Sequence, residues 1–163
     1  MKHLLIALPV LLAGTLWAVV DQGRKRKPTT ADAKKVLAKL QGNWLVVGAE
    51  VEGKKIPAKD LKQTKETFVV KGETMTYCKD GKVKVRMKII LDRGKTPTVM
   101  DLAFTDGKEK GYKNHAIYQL VGDMLKLRMN DKFGGNSANE RPTDFSTAKG
   151  KDAVLFILKR AKK

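Results

Sequence analysis

The chain has 163 residues, enough for one domain with its own apolar core. Its 34 Lys and Arg against 17 Asp and Glu give a formal net charge of +17, a surface that attracts polyanions or anionic lipid headgroups. A lone cysteine, Cys78, excludes an intramolecular disulfide, so packing alone must hold the domain together.

Residues 1–20, MKHLLIALPVLLAGTLWAVV, carry Lys2 and His3 ahead of an uncharged, mostly apolar run over 4–20. That pattern predicts export, periplasmic or extracellular, with the segment acting as a signal peptide or as a retained membrane anchor. Both readings stay open. Leu16 spoils a small-x-small cleavage site before Ala18, and Thr15 in LLAGT stands where a lipoprotein signal needs its lipidated cysteine. The basic cluster RKRK at 24–27 resists translocation of that flank. Residues 21–30 read as a basic linker, and residues 31–163 as the folded domain.

In ADAKKVLAKLQG, Ala33, Val36, Leu37 and Leu40 fall at helical spacing and predict a short amphipathic helix, ended by Gly42. Eight strand-like runs follow, over 43–51, 66–71, 74–79, 82–91, 98–105, 114–121, 123–130 and 153–160. Turn signals such as Asp80-Gly81 and Gly122-Asp123 join most of them, so consecutive strands should be antiparallel neighbours. Two connections are longer: 52–65, with a helical turn near Asp60, and the Gly/Asn/Ser-rich 131–152. KVKVRMKI alternates most cleanly, with Val83, Val85, Met87 and Ile89 on one face and Lys82, Lys84, Arg86 and Lys88 on the other. Eight such strands predict an all-β fold, an eight-stranded antiparallel up-and-down barrel with a short N-terminal helix. Its interior should be lined by Phe68, Tyr77, Val85, Met87, Met100, Leu102, Phe104, Leu127 and Met129. These either fill the barrel or enclose one small ligand.

Gly42-Asn43-Trp44 at the entry to the first strand, after a short helix, resembles the motif of lipocalin-like (calycin) barrels. The resemblance implies that Trp44 packs on the barrel floor and that an arginine near the end of the last strand, here Arg160, lies across its indole. Further blocks, MDLAFTDGKEKG, AIYQLVGDMLKLRM, NERPTDFST and VLFILKR, are similar to an exported lipocalin-like domain family abundant in planctomycete bacteria. The resemblance spans residues 36–161 and brings no assigned activity. Members often carry a cysteine in the strand that here holds Met129, so no thiol chemistry carries over.

The ERPTDF block at 140–145 has a mechanical reading and a functional one. Pro142 fixes the backbone, Phe145 tucks beneath the barrel rim, and Arg141 with Glu140 or Asp144 pins the long loop. Alternatively these residues form a lid over a cavity mouth. His115 is the only histidine beyond the leader, so no metal site is expected, nor any cofactor. No nucleophile elbow accompanies it, and Asp101 and Glu50 are not placed together by anything in the sequence. An enzyme is therefore not expected. Two readings remain: a monomeric binding module for a small apolar or amphipathic ligand, or a filled barrel docking its basic surface on an anionic envelope polymer or partner protein. Specific nucleic-acid recognition is not expected, because the lysines are scattered rather than grouped.

Overall fold

The computed structural model describes residues 30–92, 98–130, 140–148 and 152–162. The leader (1–20) and nearly all of the linker lie outside the described residues. Among the described residues no helix is long and apolar enough to cross a membrane.

Helix α1 spans Thr30–Leu40, with Asp32 in its first turn and Lys39 in its last, charges that complement the helix dipole. Its Val36 and Leu40 are buried in the core. The chain then enters β1 (Gly42–Val51), followed by the two-residue β2 (Lys54–Lys55), α2 (Ala58–Thr64), β3 (Thr67–Lys71), β4 (Thr74–Lys79), β5 (Lys82–Asp92), β6 (Thr98–Phe104), β7 (Lys113–Val121), β8 (Met124–Asn130) and β9 (Ala153–Arg160). Every ladder is antiparallel and joins neighbours in sequence, apart from β1–β3, which passes over β2 and α2, and β1–β9, which closes the sheet. The result is a closed eight-stranded up-and-down barrel, with β2 appended to β1 as a small hairpin. Closure leaves the barrel without a free edge. Among the described residues all of its ladders lie within residues 42–160, and the helix that seals it begins at Thr30.

Alternation explains the interior. Trp44, Phe68, Met75, Met87, Met100, Leu102, Leu125, Leu127 and Leu158 all point inward and are almost entirely buried. Each such side chain contributes about 1.5–3 kcal/mol relative to exposure. A bulge at Val47 shifts the parity of β1, so that Trp44 and Val46 are followed inside by Ala49 and Val51. A second bulge, between Tyr77 and Cys78, corrects the sequence reading of β5. Val85 pairs with Tyr77 and faces in, whereas Val83 pairs with Cys78 and is 45% exposed. The Asp80-Gly81 turn between these strands has positive φ at both residues, as a tight two-residue hairpin requires. The connection after β1 holds more order than one turn: α2 buries Leu61 against the end of β1.

Candidate functional site

The two ends of the barrel differ. At the floor, the Trp44 indole N–H donates to the Leu40 carbonyl at 2.9 Å, and the Arg160 guanidinium lies 4.2 Å from the indole centroid. Arg160 also donates from Nη1 to Gln41 O (2.5 Å), from Nη2 to Lys39 O (2.7 Å) and from Nε to Asp123 Oδ1 (2.9 Å). One side chain from the last strand thus satisfies carbonyls at and just beyond the C-terminus of α1, which have no partner within the helix, while stacking on the plug. Gly42 is needed here because its φ is +116°, a backbone conformation that L side chains rarely adopt. The floor is a structural closure built on the Trp44–Arg160 stack.

The mouth is hollow. A cavity of about 210 Å³ opens there, lined by Phe68, Tyr77, Val85, Met87, Phe104, Met129, Asn130, Val154 and Phe156. Three residues expected to line a cavity, Met100, Leu102 and Leu127, do not; they are fully buried in the packed layer below it. The choice between a filled and a hollow barrel is therefore resolved by height, filled at the floor and open at the mouth. Val154 and Phe156 were not nominated from sequence, although their alternation with Leu158 in AVLFILKR carried the signal. Asn130 left no such trace.

The aromatic wall is ordered. Phe68 and Tyr77 lie 5.0 Å apart between centroids, Phe156 meets Phe68 edge-on at 5.2 Å, and Tyr77 and Phe156 are 6.5 Å apart. Burial pushes the Tyr77 phenol far above its usual range, and hydrogen-bonded Glu66 pushes it the same way. Tyr77 is thus a neutral polar group at the edge of an apolar chamber. Glu66 is in turn paired with Lys79 at 3.3 Å. Asn114, buried and facing inward, is fully engaged by the β8 backbone: it donates to Asn130 O (2.8 Å) and accepts from Asn130 N (3.1 Å).

The described part of the ERPTDF segment begins beside the mouth and continues onto the outer wall. Glu140 sits beside the mouth, its carbonyl accepting from Asn130 Nδ2 at 3.0 Å. From there residues 141–148 cross the outer wall, meeting β6 and β7 through Arg141, β8 through Phe145 and Ser146, and β1 through Thr147. Arg141 reaches across to Asp101 on β6 and His115 on β7. Its Nη1 stands 2.7 Å from Asp101 Oδ1 in a bent ion pair, and its Nη2 is 2.9 Å from His115 Nδ1. The same His115 nitrogen is 3.0 Å from Asp101 Oδ1. Protonated there it donates to Asp101; bare it accepts from Arg141. Further along, Arg128 donates to Ser146 O at 2.9 Å, Thr147 donates to Glu50, and Pro142 is buried. Phe145 is half-buried outside the barrel, with the Lys126 ammonium 4.5 Å from its ring centroid. Residues 131–139 lie outside the described residues. Asp101 and Glu50 serve different contacts of the strap and do not form a carboxylate pair.

Burial alone would raise the Asp101 carboxyl, but Arg141 and His115 together outweigh it and hold it below the usual carboxylate range. Because the folded value lies below the unfolded one, the contribution to stability is complete above about pH 4 and disappears as the pH falls through the folded value. Asp101→Asn should lower stability at pH 7 by about 1–3 kcal/mol and flatten the acid limb of a melting-temperature profile below about pH 4. An unchanged acid limb would show that the strap does not depend on this carboxylate.

These features define a small closed antiparallel barrel with a sealed floor, a strapped outer wall and an apolar pocket at the mouth. A search of protein-family models, of curated proteins and of solved structures found no match to this chain.

Proposed function

We propose that this protein is an exported, non-catalytic binding module of the lipocalin-like type that holds a small apolar or amphipathic molecule in the mouth of its barrel. The observation that carries this reading is the pocket of about 210 Å³ with aromatic, methionine and valine walls. Its volume exceeds the roughly 150 Å³ of an apolar cavity that accepts benzene, and falls below the roughly 300–1,000 Å³ of drug-sized sites. It suits one ring or a short alkyl chain, with a polar group left near Tyr77 and Asn130. Met87 and Met129 give the walls some adaptability. The arginine laid across the floor tryptophan supports the kinship with lipocalin-like barrels, and the apolar run at 4–20 supports export. The acid–base cluster Asp101–His115–Arg141 ties down the strap on the outer wall, facing away from the pocket, which favours binding without catalysis. Closure of the sheet by β1–β9 favours a monomer.

Native mass spectrometry of residues 28–163, purified gently from the native host, tests the reading. A reproducible mass excess that disappears on denaturation is the expected result. A bare polypeptide mass, with no uptake of an added hydrophobic probe, would reject it.

A further inference from the structure

The floor end of the outer wall carries a second surface, independent of the pocket. Leu45 on β1 lies opposite Lys159 on β9, Lys159 opposite Met124 on β8, and Met124 opposite Val121 on β7. One transverse row thus crosses four adjacent strands. Its side chains point outward, since their chain neighbours Trp44, Leu158 and Leu125 fill the interior. Val47, at the β1 bulge, extends the row along the strand. Leu45, Val47, Val121 and Met124 are 45%, 46%, 65% and 39% exposed. Single exposed apolar residues need no explanation, but four gathered in one patch do. Around them Lys39, Lys71, Lys159 and Lys162 are exposed at the same end of the barrel. The neighbouring carboxylates of Asp123 and Glu73 are engaged by Arg160 (2.9 Å) and Lys88 (3.4 Å), so they subtract little from that positive field.

We propose that this floor-end face docks on an anionic phospholipid bilayer, its four alkyl side chains entering the acyl boundary while the surrounding lysines meet the headgroup phosphates. A soluble polyanion would use the lysines but leave the alkyl groups in water. A second copy would bring together two chains of net charge +17. A surface that is anionic outside and apolar beneath satisfies both halves of the patch. The convex β7–β8 hairpin, carrying Val121 and Met124 on either side of Gly122-Asp123, suits a fluid layer better than a rigid groove.

Residues 28–163, which hold the whole barrel, should co-sediment with vesicles of phosphatidylglycerol and phosphatidylcholine but not with pure phosphatidylcholine. The double substitution Leu45→Gln/Met124→Gln should weaken that binding about tenfold while leaving the melting temperature near the parent's. In Val121→Trp of residues 28–163, where the only other tryptophan is the buried Trp44, indole emission should shift to the blue on anionic vesicles, a readout that does not depend on the double variant folding. Three results would overturn the proposal. One is absence of binding to anionic vesicles. Another is binding that survives the double substitution and is fully competed by soluble polyphosphate, which marks a polymer site. The third is a dimer in sedimentation velocity that the same substitutions disperse, which marks an interface between copies.

Discussion

Trp44→Ala should bring the domain close to unfolding, with a loss of at least about 4 kcal/mol in urea denaturation, on a scale where whole domains have about 5–15 kcal/mol. Removing a fully buried tryptophan costs about 3–5 kcal/mol through lost burial and the cavity left behind. Here the indole also does two jobs that alanine cannot. Its N–H satisfies the Leu40 carbonyl at the end of α1, and its face supports the Arg160 guanidinium. Without it a buried carbonyl loses its donor, which adds about 1–3 kcal/mol. The melting temperature should fall by at least about 10 °C. Arg160→Lys should be milder yet clearly destabilising, because one ammonium cannot reach Gln41 O, Lys39 O and Asp123 while lying flat on an indole. A double-mutant cycle between the two positions should show coupling of about 1–2 kcal/mol. If Trp44→Ala melts within a few degrees of the parent, the floor is not what closes this barrel.

The same residues show what was legible in the chain. Strand existence and order could be read almost completely, because turn pairs such as Asp80-Gly81 and alternation within each run are local signals. The floor was legible only through resemblance: nothing local links Trp44 to Arg160, which meet across the β1–β9 ladder. Alternation misled at Val83, where a bulge adds one residue and the face changes without any mark in the hydrophobic pattern. It was also silent on height. Met100 and Met129 look alike in sequence, yet one is packed in the floor layer and the other lines the pocket, because position along the barrel axis depends on register and strand stagger. The strap was the least legible part. Its arginine found an aspartate and a histidine on β6 and β7, partners that only tertiary docking supplies.

Filling the mouth should separate ligand binding from stability more cleanly than any deletion. Val85 and Val154 both line the cavity on different strands, and Val85→Phe/Val154→Phe places two rings into space that is otherwise unoccupied by side chains. Large-for-small changes in a packed core usually destabilise by about 1–3 kcal/mol, but rings that enter an existing void can add about 0.5–2 kcal/mol of stability. The expected outcome is a melting temperature equal to or above the parent's, together with at least about tenfold weaker uptake of a single-ring or short-chain probe in titration calorimetry. Met100→Leu, conservative in volume and below the cavity, is the matched control; it should leave uptake unchanged and cost less than about 1.5 kcal/mol. If the filled variant folds and binds the probe as well as the parent, the ligand sits elsewhere and the mouth pocket is packing space. If the filled variant loses uptake and Met100→Leu keeps it, the affinity belongs to the upper layer of Phe68, Tyr77, Met129 and Phe156. The floor layer then acts as the rigid base that keeps that chamber from collapsing.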